Sequence, residues 1–330
     1  MTILLTGGAG FIGSHMAAHL LSEHVTFIVV DNLSNADKTN LDILSKHFSR
    51  EIPFQKCDLR DKDRLRRVFS EQGITAIIHF AGLKSVADSV INPGLYHDNN
   101  VTGLEVLMDV AEEFEVANFI FSSSATVYGE PQYLPFDEEH PLSATNPYAQ
   151  TKIDIENLLI QKDYFSRHCS TKILRYFNPV GAHPNGLIGE QPKGTPNNLM
   201  PYMVGVANQT YPYLRVFGND YPTPDGSAIR DYIHIMDLVE AHHLAMTHKS
   251  HGVYIWNVGT GKGSSVLEIL QVFNEVNGLS IPFKTYPRRP GDVSSMFADT
   301  AKIEQELGWS ARRDLGAMCR DAWLFTQRNS

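Results

Sequence analysis

The chain has 330 residues, of which 42% are hydrophobic and 20% charged, and its net charge at neutral pH is −9. An acidic chain offers no broad basic surface, which excludes nucleic-acid binding as its main function. No apolar run reaches the ~18 residues of a membrane-spanning helix, and the first lysine or arginine is Lys38, so we expect neither a membrane span nor a signal peptide.

Short apolar runs alternate with helical patterns through the first third of the chain. These runs end, in chain order, in Thr6, Asp31, Asp58, Gly82 and Ser124. Amphipathic stretches occupy residues 60–71, 95–115 and 147–167. Short apolar strands with helices between them predict a doubly wound parallel α/β sheet, a Rossmann fold.

The pattern becomes less regular from about Asn178, where Pro, Gly and Asn are frequent. We therefore predict a Rossmann domain at residues 1–177 and a smaller mixed α/β lobe at residues 178–330. A helical segment and an apolar run at residues 232–262 are expected to return in part to the first domain.

A glycine-rich turn between the first run and the first helical pattern carries the first chemical signal. Its spacing, Gly8-x-Gly10-x-x-Gly13, matches the dinucleotide fingerprint, in which Gly10 lets the backbone approach a pyrophosphate and Gly13 lets the helix pack on the strand. Asp31 closes the second run 18 residues after Gly13, where an acid binds the adenosine ribose. A carboxylate there repels a 2′-phosphate, and no Lys or Arg occurs before Lys38, so the cofactor is expected to be NAD rather than NADP.

A tyrosine and a lysine follow at helical spacing in NPYAQTK, residues 146–152. Asn146 suits a helix N-cap and Pro147 the first helical position, which places Tyr148 in the first turn and Lys152 on the same face. For Tyr148 to act as a base near neutral pH, its pKa of about 10 must fall by ~3 units, or ~4 kcal/mol. The Lys152 charge favours that shift, whereas an exposed Tyr-Lys pair on a structural helix is the alternative interpretation.

Several longer motifs narrow the prediction. The chain contains IHFAGLKSV, DNNVTG, FIFSSSATVYGE, RYFNPVGAHP, FGNDYPTPDG, RDYIHIMDL and PRRPGD in order along its length. With the glycine turn and Tyr148-x-x-x-Lys152, these resemble the UDP-glucose 4-epimerase family of extended short-chain dehydrogenase/reductases. The resemblance implies a cytoplasmic enzyme that acts on UDP-hexoses in galactose metabolism.

The resemblance also implies roles for matching positions. The catalytic residues would be Ser124, Tyr148 and Lys152. Besides these three, the residues that contact NAD would be Gly7, Gly10, Phe11, Ile12, Gly13, Asp31, Asn32, Asn35, Asp58, Leu59, Phe80, Ala81, Gly82, Lys84, Asn99 and Phe177. Those that bind the UDP-sugar would be Asn178, Asn198, Leu199, Val216, Phe217, Arg230, Arg289, Asp292 and Met296.

The reaction implied begins with oxidation of C4 of the sugar, in which Tyr148 takes the hydroxyl proton, Ser124 binds the same oxygen and hydride passes to NAD⁺. Related dehydratases carry an Asp-Glu pair just after the catalytic serine, but here Ala125 and Thr126 occupy those positions. Without those carboxyl groups, we expect the keto sugar to rotate and take back the hydride on its other face, which inverts C4. NAD should therefore stay bound.

Two alternatives remain open: a UDP-sugar 4-keto reductase or dehydrogenase with exchangeable NAD(H), and a non-catalytic protein that senses NAD. We expect no metal site, because His242, His243 and His248 lack acidic or cysteine partners at ligand spacing. Three distant cysteines, Cys57, Cys169 and Cys319, indicate free thiols in a reducing compartment.

The resemblance makes two finer predictions. The helices at 95–115 and 147–167 match those that pair across the homodimer of the family. Met296 stands where strict UDP-glucose epimerases have tyrosine and broader ones a smaller residue. A flexible methionine predicts weak use of UDP-N-acetylhexosamines beside UDP-glucose and UDP-galactose.

Overall fold

The computed structural model describes residues 2–248, 250–289 and 291–329, and its contacts divide the chain into two compact units. Unit 1 comprises Met1–Gly129, Leu142–Arg175 and Val239–Trp256, and unit 2 comprises Glu130–Pro141, Tyr176–Leu238 and Asn257–Ser330. Residues 130–141, expected in the first domain, group with unit 2 because the Phe136 backbone hydrogen-bonds to that of Phe297 and Asp299.

Thirteen strands occur in the described residues. They are β1 (Thr2–Thr6), β2 (Phe27–Asp31), β3 (Phe54–Lys56), β4 (Ile74–His79), β5 (Asn118–Ser124), β6 (Ser170–Tyr176), β7 (Asn178–Val180), β8 (Leu214–Phe217), β9 (Ile229–His234), β10 (Gly252–Val258), β11 (Gly263–Ser265), β12 (Phe283–Tyr286) and β13 (Ser295–Met296).

Twelve α-helices occur in the same residues. They are α1 (Phe11–Ser22), α2 (Thr39–His47), α3 (Lys62–Gln72), α4 (Val86–Ile91), α5 (Pro93–His97), α6 (Gly103–Glu113), α7 (Pro147–Gln161), α8 (Leu199–Ala207), α9 (Ile235–Thr247), α10 (Val266–Asn277), α11 (Ala301–Leu307) and α12 (Leu315–Asn329).

The seven-stranded sheet of unit 1 has the order β10-β6-β5-β4-β1-β2-β3. Its strands β1 to β5 pair in parallel, and β1 lies between β2 and β4. Ile3, Leu4 and Leu5 are fully buried, as expected for a parallel sheet covered by helices on both faces. The predicted doubly wound α/β fold is confirmed, and the carboxyl ends of the parallel strands lie at one edge, where such folds bind ligands.

Two predicted helices differ in the structure. The stretch at 95–115 is divided into α5 and α6 by a π-helical turn at Asp98–Thr102. The stretch at 147–167 ends earlier, since α7 stops at Gln161 and the extended Lys162 precedes a second π-helical turn, Tyr164–His168. The buried Phe165 packs on Phe119 there, with ring centroids 5.3 Å apart.

Strand β9 is the centre of the main sheet in unit 2. It pairs in parallel with β7 and β13 and antiparallel with β11, while β8 and β12 form a separate parallel pair. The core of this unit includes Met203, Leu214, Ile269, Phe273 and Met318, all buried. Over residues 2–248, 250–289 and 291–329, no helix combines the length and apolar character needed to cross a bilayer.

Candidate active site

The turn between β1 and α1 and the first turn of α1 leave no room for a side chain at Gly7 and Gly13. Gly7 has a φ of +68°, and a Cβ there would lie 2.5 Å from the backbone nitrogen of Ala81. A Cβ on Gly13 would lie 2.5 Å from the carbonyl oxygen of Gly7, so this glycine allows α1 to pack closely on the turn. Gly10 is the N-cap of α1 and has no side chain to cap it, which leaves first-turn N–H groups available for an anion.

Two carboxylates lie at the carboxyl ends of β2 and β3: Asp31 is the last residue of β2, and Asp58 follows β3. Asp31 accepts hydrogen bonds from the backbone N–H groups of Ala9 (3.2 Å) and Leu33 (2.8 Å), which ties the end of β2 to the glycine turn. Asp58 accepts from Arg60 Nη2 (2.8 Å) and from Asn32 Nδ2 (3.1 Å). The side-chain hydrogen bond from Arg60 holds the pKa of Asp58 well below its usual range.

The residues after β4 are held by Asn100, an asparagine that no sequence motif assigns to the site. Asn100 Oδ1 accepts from the Leu83 backbone N–H (2.8 Å) and from Asn99 Nδ2 (2.9 Å). Asn100 Nδ2 donates to Thr151 Oγ1 of α7 at 3.2 Å. The only available signal was the paired asparagine in DNNVTG, which does not reveal the contacts that the residue makes.

The Tyr-Lys pair lies where predicted, on the first two turns of α7. Asn146 caps this helix by accepting from the Ala149 N–H at 2.9 Å. The side chains of Tyr148 and Lys152 are buried, each residue being 6% exposed, so the pair is not a surface feature. Burial is the main influence on Lys152 and lowers its pKa to about 8.

Lys152 is fixed by strand β5 rather than by the tyrosine alone. Its Nζ donates to the backbone oxygen of Ser122 at 2.9 Å. The ammonium also lies 4.6 Å from the ring centroid of Phe121 and 5.9 Å from that of Tyr148. These contacts stabilise a cation beside the phenol.

Ser124 is the last residue of β5. Its Oγ accepts hydrogen bonds from Thr126 Oγ1 (3.0 Å) and from the Thr126 backbone N–H (3.3 Å), so Ser124 caps the short 3-10 helix Ala125–Tyr128. In the sequence, Thr126 is notable only for lacking the carboxyl group that dehydratases carry there. The structure shows that Thr126 orients the hydroxyl of Ser124.

The other predicted cofactor residues of unit 1 are near these groups in the fold. Phe11 and Ile12 begin α1, Asn35 follows β2, Leu59 follows β3, and Phe80, Ala81, Gly82 and Lys84 follow β4. Phe177 differs, because it belongs to unit 2, where it is buried and its N–H donates to the Val258 carbonyl at 3.1 Å.

Unit 2 gathers the charged residues of the predicted UDP site. Asp292 accepts from Arg289 Nε at 2.8 Å, and its other oxygen lies 3.8 Å from Arg230 Nη2. The Arg289 guanidinium carbon is 5.0 Å from the ring centroid of Phe217. One carboxylate between two guanidinium groups leaves a positive charge beside an aromatic ring.

The remaining predicted UDP residues lie on β-strands and on one helix start. Asn178 in β7 pairs with Tyr232 of β9, and Met296 in β13 is the register partner of Arg230. Asn198 occupies the N-cap position of α8 but makes no side-chain capping hydrogen bond, and Leu199 is the first residue of that helix. The Val216 side chain packs in the core of unit 2.

Similar proteins are known over the full length of the chain. A family model described as GDP-mannose 4,6 dehydratase matches residues 4–322. The UDP-glucose 4-epimerase of Bacillus subtilis strain 168 is 47% identical over 331 residues, which cover 100% of this chain and 98% of the relative. The chain belongs to the UDP-glucose 4-epimerase family.

Solved structures of this family have the same fold. The UDP-glucose 4-epimerase of Stenotrophomonas maltophila, with bound NAD and formylated UDP-arabinopyranose, has a TM-score of 0.97 at 42% identity, with 100% of both chains covered. The enzyme of Bifidobacterium longum, in complex with NAD⁺ and UDP, has a TM-score of 0.95 at 42% identity, with 100% of this chain and 99% of that chain covered. The matching family model is described by a dehydratase, yet neither Ala125 nor Thr126 of this chain carries a carboxyl group.

Proposed function

We propose that this protein is an NAD-dependent UDP-hexose 4-epimerase that interconverts UDP-glucose and UDP-galactose, with a role in galactose metabolism. The observation that carries the proposal is the buried Tyr148–Lys152 pair, in the unit that also contains the glycine turn and Ser124. Ala125 and Thr126 support epimerisation over dehydration, because neither side chain can remove a proton from C5. The names of the curated relatives support the same reaction.

The residues of unit 1 fit NAD. The side-chain-free turn at Gly7 and Gly13 and the uncapped start of α1 suit a pyrophosphate, which the N–H groups of Phe11 and Ile12 would bind. Asp31 would bind the adenosine ribose. Bound NAD⁺ would supply the hydride acceptor and donor for C4 of the sugar.

The chain's own residues move the proton. Tyr148 would remove the proton of the C4 hydroxyl as a phenolate and return it after the sugar has presented its other face. Ser124, oriented by Thr126, would donate a hydrogen bond to the same oxygen. The fixed Lys152 ammonium would stabilise the phenolate, because an opposite charge nearby lowers the pKa of the phenol.

The charged cluster of unit 2 fits a diphosphate. Guanidinium groups bind phosphate oxygens through paired hydrogen bonds, and Asp292 orients both arginines. In a chain with a net charge of −9, a diphosphate needs a local positive charge, which these two arginines would supply. We assign Arg230 and Arg289 to the diphosphate and the ring of Phe217 to the uracil.

A homodimer is supported by an exposed apolar surface in unit 1. Val90 and Ile91 on α4 are 62% and 73% exposed, Leu95 on α5 is 53% exposed and Ile160 on α7 is 42% exposed. Helices α4 and α5 both contact α7, so these side chains lie on neighbouring helices. We propose that a second copy covers them in a two-fold helical interface.

The product formed from UDP-galactose tests the proposal. Purified, desalted protein is mixed with UDP-galactose without added NAD⁺, and the nucleotide sugars are separated. Formation of UDP-glucose supports an epimerase that retains its cofactor. A need for added NAD(H) would instead indicate the keto-reductase or dehydrogenase alternative, and NAD binding without turnover would indicate a sensor.

A further inference from the structure

A buried ion pair between Glu156 and Arg175 lies one helical turn after Lys152 in unit 1. Arg175 of β6 donates to Glu156 of α7, through Nη2 at 2.7 Å and through Nε at 3.2 Å to each carboxylate oxygen. Ser123 Oγ of β5 donates to the same carboxylate at 2.6 Å. Glu156 is 1% exposed and Arg175 is 3% exposed. Arg175 Nη1 also donates to Tyr128 Oη at 3.2 Å.

Stability alone is a weak reason for such a pair. Removing two charges from water costs several kcal/mol per ion, and well-packed apolar residues often replace buried ion pairs without loss of stability. The position of Glu156 offers a further reason. It lies one turn after Lys152 on α7, and its partner Ser123 directly precedes Ser124.

We propose that Glu156 is a positioning residue for the reaction: its carboxylate, one turn after Lys152 on α7, joins the helix of Tyr148 and Lys152 to the strand of Ser124 through the hydrogen bond from Ser123. This inference rests on the proposed epimerase function. It adds an anion, Glu156, to a catalytic set that otherwise consists of the hydroxyl of Ser124, the phenol of Tyr148 and the ammonium of Lys152.

The charges around Lys152 support this role. Among the described residues, the titratable and charged groups that contact or influence Lys152 or its neighbours here are Tyr148, Glu156, His79, His242, Arg175 and, through Arg175, Tyr128. Burial and the Lys152 charge lower the pKa of His79 to about 3, so that ring is neutral near pH 7. His242 Nε2 lies 3.2 Å from Ser122 Oγ and supplies no negative charge. Glu156 is the carboxylate of this set, and its charge opposes the effect of burial on Lys152.

The pH dependence follows from these signs. Tyr148 needs a protonated Lys152, so epimerisation should fall as the pH rises through the lysine pKa of about 8. Removing the Glu156 charge should lower that pKa further, so the alkaline limb of the pH–rate profile moves to lower pH. Removing the Arg175 charge leaves the carboxylate in place, so the limb should stay or move to higher pH.

The test compares Glu156→Gln with Arg175→Gln in the holoenzyme, with kcat for UDP-galactose measured from pH 6 to 10. We expect Glu156→Gln to shift the alkaline limb down by about 1 pH unit, a tenfold change in the apparent ionisation constant. Arg175→Gln should not shift the alkaline limb to lower pH. Ser123→Ala is the matched control, because it removes a hydrogen bond from Glu156 and no charge, so kcat should fall without a shift of the limb.

Each single charge variant leaves a buried partner unpaired and therefore destabilises the fold. The double variant Glu156→Gln/Arg175→Gln replaces the pair by neutral groups that still hydrogen-bond, and its limb should also move to lower pH. If the alkaline limb of the pH–rate profile stays in place in Glu156→Gln, or shifts equally in all variants, the inference is wrong even though the wild type is an epimerase. A wild type that makes no UDP-glucose would instead overturn the proposed function.

Discussion

Lys152 shows most clearly what the structure adds to the sequence at the scale of single residues. Spacing predicted a lysine one helical turn from Tyr148, and the structure places it there. Its burial, its bond to the Ser122 carbonyl and its contact with the Phe121 ring come from β5, which is distant in sequence. Helical periodicity describes only neighbours on one helix, so it could not predict these contacts or the lowered pKa.

Tyr148 is the residue that we expect to act as the catalytic base. Tyr148→Phe should reduce epimerisation by about 10²–10⁴-fold, because the phenol oxygen is the group that would accept the C4 proton. The melting temperature and the amount of bound NAD should stay at wild-type values. Tyr164→Phe, which removes a phenol that donates to the Val116 carbonyl in the same unit, is the control and should keep its activity. Near wild-type turnover of Tyr148→Phe would remove this tyrosine from the mechanism.

Met296 is the residue that we expect to limit the size of the sugar. Met296 is partly buried on β13, in register with Arg230 of the proposed diphosphate site. We expect the wild type to turn over UDP-N-acetylglucosamine weakly, Met296→Ser to raise its kcat/KM relative to UDP-glucose, and Met296→Tyr to lower it. The measurement compares kcat/KM for both sugars in the three proteins. If the ratio is the same in all three, this side chain does not limit the size of the sugar.

Local signals predicted the starts of elements better than their ends. The Asn146-Pro147 signal placed the start of α7 correctly, because a cap acts within one turn. Beyond its end at Gln161, Phe165 contacts Phe119 of β5. The π-helical turn before α6 contains Asn100, whose side chain hydrogen-bonds to Leu83 and Thr151. Such long-range contacts leave no periodic trace in the sequence.

A prediction for strand β6 concerns a second buried lysine. Lys172 is fully buried, its Nζ donates to Asn118 Oδ1 at 2.7 Å, and burial lowers its pKa from 10.5 to about 8. Between these two values the unfolded chain holds the proton more tightly, so this lysine makes stability increase with pH. The free energy of unfolding of Lys172→Met, relative to that of the wild type, should therefore be highest near pH 7.

The unfolding free energy of both proteins is measured by chemical denaturation from pH 7 to 10.5. The difference, Lys172→Met minus wild type, should fall by on the order of 3 kcal/mol over this range, at 1.36 kcal/mol for each of about 2.5 units. Lys46→Met, at an exposed position of α2, is the control and should show a flat difference. An equally flat difference for Lys172→Met would contradict a lowered pKa at this lysine.

At the scale of the whole molecule, the exposed side chains of α4, α5 and α7 predict the oligomeric state. The double variant Ile91→Glu/Leu95→Glu places two charges on the proposed apolar interface and should convert a dimer into a monomer. Light scattering after size-exclusion chromatography measures the mass. Phe283→Glu changes an exposed apolar residue of unit 2, 47% exposed, and should leave the dimer intact. A wild type that is monomeric at micromolar concentration would disprove the interface.

The sequence predicts only approximately which residues belong to each of the two units. Motif order placed the glycine turn and the Tyr-Lys pair in the first part of the chain, and the arginines of the UDP site in the second. Residues 130–141 and Phe177 group with unit 2 through backbone hydrogen bonds to residues far along the chain. No composition change marks those pairings.

The most direct test of the central claim follows the hydrogen on C4. Desalted protein is incubated with UDP-galactose that carries deuterium at C4, without added NAD⁺, and the product is examined by NMR and mass spectrometry. Transient oxidation at C4 with return of the same hydride predicts UDP-glucose that retains deuterium at C4 with the opposite configuration. Loss of the deuterium to solvent, or its appearance in free NADH, would contradict the mechanism.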